Sequence, residues 1–204
     1  VWNGVPVLLL SRHGPGHGLN PSAVPYRANL YALKQLGCTH VLASGAVGSL
    51  REEIRPRDLV VVDQVIDKTT QRANTFYERA AVHVEFAEPF CPVLRGLVIE
   101  ASKKLEGCKV HECMEGPAFS SRAESLMHRL WGGDVIGMTA MPEARLAREA
   151  ELPYCLIALA TDYDCWKSRT KPKDGEPAPP APNELSLLQE IIGHLRSATE
   201  NALT

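Results

Sequence analysis

Apolar residues recur along the chain in two alternating rhythms. The short continuous runs Val5–Leu10, Thr39–Ser44, Leu59–Ile66 and Pro153–Ala160 have the length of strands buried on both faces. Asp134–Ile136 and Lys109–Glu115 read as shorter strands. Between the runs the spacing turns helical. Ala28, Tyr31, Ala32 and Leu36 form a stripe in a helix that begins near Tyr26 and stops at Gly37. Leu94, Leu97, Val98, Ala101 and Leu105 do the same over Val93–Glu106, where core packing is the reading of the stripe. Ser121 and Glu124 stand in the relation of a capping box, and Pro142 opens a helix running from Glu143 to Ala150. Asp67–Glu85 lacks periodicity and reads as a long loop. Lys167–Pro182 is a proline-rich connector before a terminal helix, Leu185–Leu203. Strands alternating with helices predict an α/β fold with a central mixed, largely parallel sheet flanked by helices, in one domain over residues 1–204.

Composition narrows the classes. The chain has 204 residues, 45% of them hydrophobic, enough for one sizeable core. A net charge of -2 gives no electrostatic case for a nucleic-acid or membrane partner. No apolar run reaches membrane-spanning length. The 6 cysteines show no metal-like spacing, which predicts reduced thiols, no bound metal and a cytoplasmic setting. The first residue is Val1, so the chain reads as part of a longer protein.

The candidate chemistry gathers at strand ends. Arg12 and His13 leave the first run together; an Arg fork suits phosphate or carboxylate, and a neighbouring His adds a donor. Gly45–Leu50 is expected as a small-residue turn after a strand, its N–H groups open to an anion. Thr139 falls where a strand meets a helix N-terminus, the place where α/β sheets bind ligands. Phe119 and Ser120 precede the capping box, where an aromatic ring can stack on a flat ligand or staple the helix to the core. Asp162 and Asp164, two apart at the end of an apolar run, point the same way if the chain stays extended, and like-charge proximity raises the pKa of one. His83, in the long loop, reads from its surroundings as a surface histidine.

Taken together, Ser11-Arg-His-Gly14, Gly48-Ser-Leu-Arg-Glu-Glu-Ile54, Ala87-Glu-Pro-Phe-Cys-Pro92, Glu115-Gly-Pro117, Phe119-Ser-Ser-Arg-Ala-Glu-Ser125, Met138-Thr139, Pro142-Glu143 and Ala160-Thr-Asp-Tyr-Asp-Cys-Trp-Lys167 resemble the S-methyl-5′-thioadenosine phosphorylases, within the purine nucleoside phosphorylase superfamily. The resemblance covers residues 5 to 167, without the family's N-terminal strand and phosphate loop. It implies phosphorolysis of methylthioadenosine to adenine and 5-methylthioribose 1-phosphate by a homotrimer. Inorganic phosphate is then a co-substrate, and no cofactor is needed. It further implies that Arg12, His13, the Gly45–Ala46 backbone and Thr139 hold phosphate. Met138 would lie on the sugar, and Phe119, Ser120 and Tyr163 near the base. Asp162 and Asp164 would address N7 and the 6-amino group, and His83 the neighbouring subunit's 5′ substituent. Carboxylates accept from a 6-amino group and oppose a 6-oxo group, which favours adenine. The alternatives are a methylthioinosine or 6-oxopurine phosphorylase, to which the Gly137–Glu143 sequence leans, and a non-catalytic nucleoside-binding homologue.

Overall fold

In a computed structural model of the protein, the structure describes residues 6–101 and 106–167. The expected connector and helix beyond Lys167 lie outside the described residues. Five strands, β1 (Val41–Ser49), β2 (Leu59–Asp67), β3 (Glu106–Cys113), β4 (Val135–Gly137) and β5 (Tyr154–Asp162), form one sheet that closes on itself in the order β1-β4-β3-β2-β5. Pairing is parallel for β1–β5, β2–β3 and β3–β4, and antiparallel for β1–β4 and β2–β5. The sheet is thus mixed, as the sequence predicts, but a closed ring rather than an open sheet. Helices α1 (Tyr26–Gln35), α2 (Pro92–Ala101), α3 (Arg122–Leu130) and α4 (Glu143–Glu149) lie outside it.

The core follows from burying β-branched and aliphatic side chains where ring and helices meet. Val60, Val61 and Val62 of β2 and Leu156, Ala158 and Ala160 of β5 are buried with Ala144, Leu146 and Ala147 of α4 and with Leu30 of α1. Alanines on α4 let it sit close to the sheet. The capping box at the start of α3 forms as expected. Ser121 Oγ accepts from the Glu124 N–H, and the Glu124 carboxylate accepts from the Ser121 N–H.

Several expected elements are redrawn. Residues 6–10 form no strand; among the described residues no neighbouring strand pairs them, and Leu9 is 94% exposed. The expected turn at Gly45 is strand, because β1 runs through to Ser49 with β5 beside it. The second helix is described from Pro92 to Ala101, Leu105 of its expected stripe lies outside the described residues, and Glu106 already belongs to β3. Pro142 caps α4 from outside the helix. In α1 the stripe Ala28, Tyr31, Ala32, Leu36 faces outward, while Tyr26 and Leu30 are buried. Both faces of α1 carry apolar residues, so spacing alone could not choose between them. The turn after α1 does contain Gly37, at φ 80, a left-handed value that favours glycine.

This assignment of faces is testable by chemical denaturation. Leu30→Ala should cost about 2–5 kcal/mol of unfolding free energy. Tyr31→Ala should stay within about 0.5 kcal/mol of the parent, as surface changes do. Equal losses would show that the stripe faces the core.

Candidate functional site

The site is arranged along β1. Next to it, β5 carries one extra residue. Val47 pairs with Ala160 but Gly48 with Asp162, leaving Thr161 as the insertion. A bulge of this kind re-aims the side chains that follow it. Ala160 stays in the core, and Asp162 turns out beside Gly48. The Thr161 hydroxyl sits 3.2 Å from the Val47 carbonyl oxygen and 2.8 Å from Asp162 Oδ2. A methyl group on Gly48 would lie 3.2 Å from both Asp162 Oδ1 and Asp164 Cβ, so only glycine lets the carboxylates approach the strand this closely.

The two aspartates meet through a turn, not through an extended strand. Asp164 lies beyond β5 with φ 48, and its N–H donates to Asp162 Oδ1 at 2.7 Å. Ser125 of α3 donates to Asp164 Oδ2 at 2.5 Å. The Asp164 pKa is raised, first by burial and to a lesser degree by the Asp162 charge, with the Ser125 hydrogen bond pulling the other way. Desolvation, rather than the like charge expected from spacing, is therefore the main cause.

Four residues back along β1 from Gly48, the Arg12 guanidinium donates from Nη1 to the Ser44 carbonyl at 3.3 Å. Its Nε and Nη2 form a bidentate pair with the buried Glu143 at 2.7 and 2.8 Å. Glu143 Oε1 also accepts from the Tyr154 hydroxyl at 2.8 Å. Burial works against the Arg12 charge, but Glu143 outweighs it and raises the pKa. Gly45 faces Thr139; a methyl group there would be 3.6 Å from Thr139 Oγ1. His13 is held by its Nδ1 against the Leu19 carbonyl at 2.8 Å and stacks on His17 with ring centroids 4.0 Å apart.

The remaining candidates are less uniformly placed. Ser120 is buried, with its carbonyl accepting from Cys165 Sγ at 3.1 Å, next to Asp164. Met138 packs its sulfur against Gly116, where a methyl group would be only 2.6 Å away. Ala46 is exposed on β1. Tyr163 lies edge-on to Trp166 under Lys167. Phe119 is 71% exposed and His83 exposed in the loop between β2 and α2, so packing ties neither to this cluster. Glu143, Ser125 and Arg72 were not singled out from the sequence. Glu143 carried a signal in its place beside Pro142 at a helix start; Arg72, in an aperiodic loop, carried none.

The chain as a whole matches a known group of proteins. The model of the phosphorylase superfamily matches residues 2–183. The chain belongs to that superfamily. It is 54% identical over 172 residues to an S-methyl-5′-thioadenosine phosphorylase of Xenopus tropicalis, covering 79% of this chain and 61% of that protein. It is 52% identical over 171 residues to one of Thermosynechococcus vestitus, covering 80% and 59%. The chain thus spans about three fifths of the length of these curated relatives. Among solved structures, a double mutant of adenosine/methylthioadenosine phosphorylase from Schistosoma mansoni with adenine superposes with a TM-score of 0.84 at 37% identity, covering 95% of this chain and 73% of that one. Another mutant of that protein, in complex with methylthioadenosine, gives 0.78 at 38%, covering 93% and 72%. Among the described residues no cluster of His, Cys, Asp and Glu fits a metal ion, and no helix is long and apolar enough to cross a membrane.

Below this site lies His111 of β3. Its ring is buried against Gly137, with Nδ1 meeting no partner among the described residues, and burial lowers its pKa to about 4. In the unfolded chain a histidine titrates near 6.5, so between those values only the unfolded state takes up the proton. Stability should therefore fall as pH drops from about 6.5 towards 4. Comparing urea midpoints of the parent and His111→Phe at several pH values checks this. The parent's extra loss in that window should vanish in the variant, and parallel curves would refute it.

Proposed function

We propose that this chain catalyses phosphorolysis of S-methyl-5′-thioadenosine, releasing adenine and 5-methylthioribose 1-phosphate. The observation that carries the reading is the grouping along β1. A donor set of Arg12 and Thr139 gathers at Ser44–Gly45, and a carboxylate pair gathers at Gly48. Three residues of strand span about 10 Å, on the order of a ribose ring separating a phosphate from a purine. The Schistosoma mansoni proteins named above, with adenine or methylthioadenosine bound, support the same choice of ligand.

In this reading phosphate meets the free N–H groups of Arg12, the Thr139 hydroxyl, His13 and the Gly45–Ala46 backbone. The sugar lies on Met138. The purine lies between Phe119 and Tyr163, over Ser120, and faces Asp162 and Asp164. Bond cleavage builds positive charge on the sugar, which the phosphate dianion stabilises, and negative charge on the leaving base. Asp164, with its raised pKa, is the group that retains a proton for N7, and Ser125 orients it. Asp162 accepts from the 6-amino group. Inorganic phosphate is the co-substrate, and no cofactor takes part. His83 reaches a neighbouring subunit, in a homotrimer whose contacts draw on outward apolar residues such as Tyr31, Leu36 and Leu42. The described cysteines are all free thiols, which suits a cytoplasmic enzyme of purine and methionine salvage.

Adenine release from methylthioadenosine, measured with and without phosphate, tests this reading. Phosphate-dependent release is expected, with methylthioinosine left intact. Asp164→Asn should lower kcat by about 10²–10⁴-fold, the usual share of general acid catalysis. Release without phosphate, or equal cleavage of the 6-oxo substrate, would overturn the assignment. Light scattering should give three times the chain mass, and a monomer would remove the shared-site role of His83.

A further inference from the structure

We infer that Arg72 is a positioning residue that holds the β4–α4 loop, residues 138–141, in the shape that presents Met138 and Thr139 to sugar and phosphate. This rests on the phosphorylase reading above. The Arg72 side chain is 1% exposed. Its Nη1 donates to the Met138 and Met141 carbonyls, each at 2.6 Å, so a single nitrogen fixes both ends of the four-residue loop. The same nitrogen is 3.2 Å from the Tyr26 hydroxyl, at the start of α1. Nε donates to Glu115 Oε1 at 3.0 Å and Nη2 to the Glu115 carbonyl.

Glu115 sets the position of Arg72 in turn. Its carboxylate accepts from the Thr70 and Gln71 N–H groups and from Ser22 Oγ. Burial works to raise its pKa, but these hydrogen bonds and that of Arg72 hold it down at about 2. Residues 68–91 form no helix or strand, so the place of Arg72 is fixed by this carboxylate rather than by an element. A second contact restrains the same loop independently. Gly116, at φ 68, lies so close to the Met138 sulfur that any side chain would displace it. Met138 is thus held by its carbonyl on one side and its side chain on the other.

A lysine cannot reproduce this clip. A guanidinium presents donors in a planar fork, whereas an ammonium is a point charge that cannot reach two loop carbonyls and a carboxylate at once. The base side has separate anchors, because Asp164 is held by Ser125 and Ser120 by Cys165. Loosening the clip should therefore separate the two halves of the site.

The test is calorimetric binding of adenine, and of inorganic phosphate in the presence of adenine, to the unaltered chain and to Arg72→Lys. In the variant, adenine affinity should stay within about twofold, and phosphate affinity should fall at least tenfold. Glu115→Asp, which keeps the charge but retracts it by one carbon, should shift the same way by a smaller factor. It carries the test if Arg72→Lys loses its cooperative melt. Equal loss of both ligands, or no loss of phosphate, would overturn the inference while leaving the phosphorylase reading intact. Failure of the unaltered chain to bind either ligand would sink that reading, and this inference with it.

Discussion

The parallel pairing of β1 with β5 is the constraint from which the rest of the molecule follows. It closes the ring of strands, and it lays the glycines of one strand against the last residues of the other. Gly48 lacks a side chain, so the two aspartates can come up to the β1 backbone there, while Thr139 stands opposite Gly45. Had β1 carried a larger residue at position 48, the ladder could still form, but the aspartates would have to draw back from it. The pairing fixes where the groups stand, and Gly48 fixes how near the aspartates come.

Two arginines, Arg72 buried and Arg12 largely so, complete that frame, and they work in opposite senses. Arg12 is neutralised by Glu143 but keeps N–H groups to spare beside Ser44. Arg72 spends its donors within the protein, on Glu115 and on loop carbonyls. Burying such charges is unfavourable unless nearly every polar atom is matched. Arg72 satisfies that condition with multiple hydrogen bonds, whereas Arg12 is bidentate to Glu143 and retains unmatched N–H groups. Ion pairs of this kind often add little net stability, and what these two add is fixed orientation.

Much of the frame was legible in the residues. The β-branched run at 59–66, the aperiodic stretch after it and the capping box at Ser121 all read correctly, because each depends on neighbours in sequence. The family was legible too, from segments such as Ala160–Lys167. What could not be read depends on distant partners. The apolar run at 6–10 has strand composition, but a strand needs a neighbour to pair with, and among the described residues it has none. Gly45 looked like a turn residue, yet β5 alongside keeps it extended. The aspartates were expected to come together by alternation. The actual cause is a bulge and a left-handed residue, neither of which leaves a pattern in single-residue spacing. Arg72 was invisible for the same reason, since its partners lie 43 to 69 positions away along the chain.

A ring of strands has no free end, and that bears on how such a chain can change length over evolutionary time. In an open sheet, a residue gained by an outer strand can run off the edge; in a closed one, it puts every later pairing out of step. Growth and loss are therefore confined to connections such as the one between β2 and α2. The single misfit in the β1–β5 ladder is Thr161, whose hydroxyl reaches the Val47 carbonyl facing it. Deleting that one residue would restore a regular ladder and remove the hydroxyl that braces Asp162 against β1. At this irregularity a shorter, tidier protein would be a different one.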